Sequence, residues 1–254
     1  MSLLQLQQAT IRFGGLTAVS ALDLTIAPTE LVGLIGPNGA GKTTAFNLIT
    51  GVYPPTSGQI LFDGHSIAGC KPYHITARGI ARTFQNIRLF RSLSVFDNVR
   101  AVFHLHLQGD VRHALWRGQG YHEEEAAIAR RVMELLDIFH LGPHRDEPAT
   151  SLSYGDQRRL EIVRALAAQP KLLLLDEPAA GMNATEKVEL TKLIRFIRDQ
   201  FQIAILLVEH DMQLVMGICE RIAVLDYGVK IAEGAPEVIR RDPKVIAAYL
   251  GQEA

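Results

Sequence analysis

The stretch at residues 31–50 constrains this chain more than any other. Leu31-Val32-Gly33-Leu34-Ile35 is apolar throughout, which suits a central strand covered on both faces. It runs directly into Gly36-Pro37-Asn38-Gly39-Ala40-Gly41-Lys42-Thr43, the pattern Gly-x-x-x-x-Gly-Lys-Thr. The next residues, 43–50, are predicted to be helical and are stopped by Gly51 and Pro54-Pro55. Glycines in such a loop let successive backbone N–H groups turn inward as an anion nest. The helix start adds unpaired N–H groups and the positive end of its dipole. Lys42 brings a flexible point charge for β- and γ-phosphates, Thr43 a hydroxyl for Mg²⁺, and Thr44 a second hydroxyl nearby. Glycine turns also serve structure alone, but eight positions in a strand-loop-helix frame point to phosphate.

The rest of the chain reads as an α/β core with an insertion. Leu22, Leu24 and Ile26 alternate with Asp23, Thr25 and Ala27, the period of a half-buried strand. Further strands are predicted at 59–62, 172–175, 203–208 and 222–225, with helices at 186–200 and 211–219. This alternation argues for a mostly parallel sheet. Residues 95–141 carry little strand signal; Ala126, Val132, Leu135 and Leu136 are predicted to line one helical face. Residues 86–160 are therefore read as a helical lobe inserted in the core, with 108–120 as a surface loop or short helix.

Composition removes several classes. With 254 residues, 48% hydrophobic and 21% charged, the chain is globular. Lys plus Arg is 26 against 27 acids, so there is no basic excess of the kind nucleic-acid binders carry. Two cysteines far apart, Cys70 and Cys219, give no metal or redox pair. Two free thiols are expected, although a single long-range disulfide is not excluded by the sequence. The start, Met1-Ser2-Leu3-Leu4-Gln5, is not that of a signal peptide, and no apolar run approaches the roughly 18 residues of a membrane span. Nine histidines are present. His104, His106, His113, His122, His140 and His144 have no zinc spacing and are read as surface or packing residues.

Two more strand ends carry chemistry. Leu172-Leu173-Leu174-Leu175 ends in Asp176-Glu177, and ligands of open α/β sheets gather at the carboxyl ends of strands. Asp176 suits a metal and Glu177 a general base that orients or deprotonates water; capping of the turn before Pro178 is the plainer alternative. Ile205-Leu206-Leu207-Val208 ends in Glu209-His210-Asp211, placing His210 where it can reach a γ-phosphate. Finally, Ser153 and Gly155 in Leu152-Ser153-Tyr154-Gly155-Asp156-Gln157 open a helix and form a second small anion nest. Two phosphate-binding elements in one chain suggest nucleotide sandwiched across a head-to-tail dimer.

On these residues the chain resembles the ATP-binding subunit of an ABC transporter, over essentially its whole length. The resemblance implies one nucleotide-binding domain spanning 1–254. It would combine a P-loop NTPase core, an N-terminal antiparallel β subdomain (1–85 and 161–254 in all) and an inserted helical subdomain (86–160). It implies ATP and Mg²⁺. Phe13 matches the adenine-stacking aromatic, and Asn38, Gly39, Ala40, Gly41, Lys42, Thr43 and Thr44 fall in the Walker A loop. Gln85 matches the Q-loop glutamine, contacting Mg²⁺ and the lytic water; Thr43 and Asp176 are its companions at the metal. Ser153, Gly155 and Gln157 lie in the signature motif. Lys42, Gln85, Glu177 and His210 would carry the chemistry, and Gly181-Met182-Asn183 is the D-loop. The signature departs from Leu-Ser-Gly-Gly-Gln through Tyr154 and Asp156, and Asn183 stands where aspartate is common. These departures, with Val245-Ile246-Ala247-Ala248-Tyr249-Leu250-Gly251, are similar to branched-chain amino acid importers.

The resemblance further implies permease subunits, a second ATPase subunit (a related chain or another copy), an indirect periplasmic solute-binding protein and a position on the cytoplasmic face of the inner membrane. No nucleic-acid partner is implied. Phe90, Leu93 and Val95 are candidates for a groove that receives a permease helix. The alternatives that stay open are a urea or amide importer, a lipid or lipopolysaccharide exporter, and a soluble ABC ATPase acting on ribosomes or DNA.

Overall fold

The structure is a computed structural model and describes residues 2–103, 105 and 119–250. His104, His106, His113 and Gly251 lie outside the described residues, as does the 108–120 stretch apart from Gln119 and Gly120. The chain divides into two compact units, Met1–Gln85 with Lys171–Ala254, and Asn86–Pro170.

The first unit begins with β1 (Leu4–Phe13), β2 (Leu16–Ile26), β3 (Leu31–Ile35), α1 (Lys42–Ile49), β4 (Ser57–Phe62), β5 (His65–Ser66), α2 (Pro72–Ala77) and β6 (Ile80–Arg82). The second unit contains α3 (Val95–Phe103), α4 (Gln119–Ile138) and α5 (Tyr154–Ala167). The first unit resumes with β7 (Leu172–Asp176), α6 (Ala184–Phe201), β8 (Ala204–Val208), α7 (Met212–Ile218), β9 (Arg221–Asp226), β10 (Val229–Gly234), α8 (Pro236–Ile239) and α9 (Pro243–Leu250).

In the first unit β2-β1-β4-β5 form an antiparallel sheet and β10-β9-β3-β8-β7-β6 a second one. The second sheet is parallel except for β10. Period-two patterning in β2 works as expected: Leu22, Leu24 and Ile26 are buried while Asp23 and Thr25 are exposed. Every residue of β3, β7 and β8 is buried, as a sheet covered on both faces requires. One apolar core joins Leu22 and Leu24 of the first sheet, Leu34, Leu174 and Leu206 of the second, and Ala45, Phe46 and Ile49 of α1. Because Leu34 and Asp176 both pair with Val208, β3, β7 and β8 end level. The loops that follow them leave from one edge. Cys70 and Cys219 are free, and burial pushes the Cys219 thiol up to about 12.

The second unit is helical. Val95, Val99 and Phe103 of α3, Ile128, Val132 and Leu136 of α4, and Leu160 and Val163 of α5 are buried. Each contributes about 1.5–3 kcal/mol on removal from water. The buried face of α4 runs at i, i+4, i+8 through Ile128; Ala126, expected on it, is exposed. Val95, a candidate groove residue, is also fully buried, whereas Phe90 is half exposed with its ring under the Arg164 guanidinium. The boundary expected at 160/161 falls inside α5, which runs unbroken to Ala167, and the compact unit ends at Pro170. No helix among the described residues is long and apolar enough to cross a membrane.

Candidate active site

Close packing dictates glycine at two loop positions. Gly36 has φ +151°, and a Cβ there would fall on the Leu225 carbonyl of β9; Gly41 has φ +99°, and its Cβ would lie 2.6 Å from the Ala18 carbonyl oxygen of β2. The turn between β9 and β10 closes the frame: Gly228 N–H donates to Ala40 O (3.0 Å) and Ser20 N–H to Gly228 O (2.8 Å). Lys42, buried at the first position of α1, folds back and donates to Gly36 O (2.7 Å) and Pro37 O (2.9 Å). Its ammonium is held below the usual lysine range by burial, which the charges of Glu177 and Asp176 oppose. Gly41, at the N-cap of α1, offers no side-chain cap, and no acid stands in the first turn. The first N–H groups of a helix without a cap are donors in need of an acceptor.

These groups open on a cavity of about 550 Å³ lined by Leu16, Thr17, Ala18, Asn38, Gly39, Ala40, Gly41, Lys42, Thr43, Thr44, Gln85, Glu177 and Tyr227. That size suits a small-molecule ligand. A second cavity of about 400 Å³ is bounded by Gly36, Pro37, Asn38, Gln85, Glu177, His210 and Tyr249. Residues 38–44 of the loop thus all line the larger cavity, Gly36 and Pro37 line only the smaller, and Gln85, Glu177 and Asn38 line both. Phe13 is not in either wall. It is exposed and packs edge-on to Tyr53, the ring centroids 5.1 Å apart.

The two strand ends supply the acids. Glu177 takes φ +45°, the left-handed region, where a side chain other than glycine costs about 1–3 kcal/mol. Its N–H still pairs with Val208 O (2.9 Å). Gln85 Nε2 donates to Glu177 Oε2 (2.8 Å), and His210 Nδ1 lies 3.7 Å from the same oxygen. Asp176 is buried and outside both walls; its Oδ2 accepts from Arg82 Nη2 at 2.7 Å. Arg82 also donates to Asn47 Oδ1 (2.7 Å) and stacks between Phe46 and Phe84. Glu209 is fully buried and accepts from Ala179 N–H (2.7 Å) and His210 N–H (3.2 Å). Burial raises its carboxyl above the ordinary range, against the pull of those N–H groups. Sequence reasoning assigned no role to Arg82, Glu209, Tyr53, Tyr227 or Tyr249.

The family model described as ABC transporter matches residues 19–180, a span that covers the glycine loop and both acids. The chain is an ABC transporter ATP-binding subunit. A second model, for branched-chain amino acid ATP-binding cassette transporters, matches 229–254 of this ATPase subunit. The high-affinity branched-chain amino acid transport ATP-binding protein LivG of Escherichia coli is 45% identical over 98% of each chain. The lipopolysaccharide export system ATP-binding protein LptB of Escherichia coli is 38% identical over 95% of this chain and 94% of that one. The fold matches the crystal structure of the ADP conformation of an ATP-binding cassette of an ABC transporter, with a TM-score of 0.85 and 27% identity over 99% of both chains.

The remaining candidates of this ABC subunit stand in the helical unit. Ser153 caps α5: its Oγ accepts from Asp156 N–H (3.2 Å) and donates to Asp156 Oδ2 (2.7 Å). A Cβ at Gly155 would lie in ordinary contact with Ser153 Oγ, at 4.0 Å, and Gln157 donates to Leu152 O (2.9 Å). The two departures at the signature have local physical reasons. Tyr154 lies beneath the buried Arg158 guanidinium, which donates to its hydroxyl (3.2 Å) and pairs with Glu161. Asp156 answers Ser153 and Arg159 (3.4 Å). Asn183, in the first unit, forms a capping box with Glu186 at the start of α6, a task asparagine performs as well as aspartate.

Proposed function

We propose that this subunit binds ATP in the cavity above the glycine loop and hydrolyses it with Glu177 as general base. The carrying observation is the pair of hydrogen-bonded residues at the cavity wall: Gln85 holds the Glu177 carboxylate beside a buried lysine. Lys42 and the uncapped amides of α1 would take the phosphates. A water placed against Glu177 would attack the γ-phosphorus, give its proton to the carboxylate and displace ADP. General-base assistance of this kind is worth about 10²–10⁴-fold. His210, at 3.7 Å from Glu177, would stabilise charge on the transferring group. Thr43, Gln85 and Asp176 offer the oxygen donors that Mg²⁺ prefers beside phosphate. The fit is good in chemistry, with the Arg82 pair leaving Asp176 one carboxylate oxygen free of that arginine. Bound there, Mg²⁺ would neutralise phosphate charge. Phe13 and its neighbour Tyr53 are the adenine side of the proposal, and Ser153, Gly155 and Gln157 the part offered to a second subunit's nucleotide.

ABC transporter ATP-binding subunits couple hydrolysis to transport. For this one we infer import of branched-chain or other hydrophobic amino acids through permease subunits at the cytoplasmic face of the inner membrane. A second ATPase chain and, indirectly, a periplasmic solute-binding protein would complete the system. The match of 229–254 and the 45% identical relative support that solute class. The relative of lipopolysaccharide export supports a second reading. Affinity capture of this chain from detergent-solubilised native membranes, with mass spectrometry of its partners, decides between them. Two permeases, a second ATPase and an amino-acid receptor are expected. Lipid-export components would sink the amino-acid reading and leave the ATPase assignment standing.

A further inference from the structure

The C-terminal helix α9 brings one side chain to the site that the hydrolysis scheme leaves unused. Tyr249 forms part of the wall of the 400 Å³ cavity together with Gln85, Glu177 and His210. Its hydroxyl is buried, and its proton has no acceptor. Burial holds the phenol above its ordinary pKa, and the Gly36 N–H beside its oxygen pulls the other way. The group is therefore a neutral O–H, a donor lacking an acceptor. Buried polar groups are nearly always paired, and one that is not calls for an explanation. No neighbouring carbonyl or carboxylate accepts from it, although Gly36 O and Glu177 Oε2 accept from Lys42 Nζ (2.7 Å) and Gln85 Nε2 (2.8 Å) at the same wall. An anion is the acceptor that suits this end of the loop, where Lys42 Nζ already donates to Gly36 O.

We propose that Tyr249 is a binding residue for the γ-phosphate, its hydroxyl donating to a γ-phosphate oxygen so that the site favours ATP over ADP. This rests on the ATPase reading and adds to it. ADP, one phosphate shorter, leaves the hydroxyl as it is in the nucleotide-free chain. The tail thereby gives the nucleotide site a contact from outside the loop, the acids and His210.

The test is calorimetric titration of the full-length chain, wild type and Tyr249→Phe, with ADP and with a non-hydrolysable ATP analogue, each with Mg²⁺. Loss of one hydrogen bond to a charged group is expected to weaken the analogue by about 10- to 100-fold and to leave ADP unchanged. An equal shift for both nucleotides, or for neither, overturns the proposal and makes Tyr249 a packing residue. Tyr249→Ala, checked for folding by its melting temperature, should lower the analogue-to-ADP preference at least as far as Tyr249→Phe; an unchanged preference in a folded Tyr249→Ala chain overturns it equally. A wild-type chain that binds neither nucleotide overturns the ATPase reading itself, and the proposal with it.

Discussion

Two helix starts in this molecule use the same physics to opposite ends. α5 satisfies its own start: Ser153 caps Asp156 N–H, and Asp156 places a negative charge on the first turn. α1 does neither. Its N-cap is a left-handed glycine, its first residue is a buried lysine, and no acid stands nearby in the first turn. A start of the second kind lowers stability unless an anion arrives. The α1 start leaves its N–H groups open to a ligand from within one chain, whereas the signature end uses its serine locally and, under the proposed function, would have to release it to a nucleotide.

The contrast can be broken at several points. The largest effect on stability is expected at Arg82→Ala. Asp176 would keep a buried charge without its partner, at about 3–5 kcal/mol, read as a fall in the denaturation midpoint. Gly41→Ala should cost about 1–3 kcal/mol through left-handed strain, before the 2.6 Å approach to Ala18 O is counted, and should abolish ATP binding. If Gly41→Ala binds ATP normally, the α1 start is not a receptor. Ser153→Ala removes a cap worth about 1 kcal/mol, so chemical denaturation should show the loss without nucleotide. Nucleotide affinity of the isolated chain should not change. Asp156→Asn is the smallest, about 0.3–1 kcal/mol from the helix dipole, visible as a slight drop in melting temperature that salt diminishes.

Much of the first helix start was legible in the sequence because it is local. An apolar pentad, a glycine loop and a lysine are contiguous, and β7 and β8 announce themselves as uninterrupted apolar runs ending in acids. What escaped was non-local. The Arg82–Asp176 pair joins residues on different strands, and β6 is only three residues long, too short for any period to show. Glu209 looked like a second strand-end acid, yet it is fully buried and ties the segment after Glu177 to that before His210. Ala126 was placed on the wrong face because small residues fit either side of a helix. The compact unit runs on to Pro170 because α5 continues to Ala167, and no change in hydrophobicity marks that end.

The central claim is that Glu177 performs hydrolysis on a nucleotide that the α1 start binds. Phosphate release and ATP binding should be measured together on Glu177→Gln and the wild-type chain. The account predicts near-wild-type ATP affinity in the variant and a rate of phosphate release lower by about 10²–10⁴-fold. Hydrolysis at the wild-type rate by Glu177→Gln would contradict it.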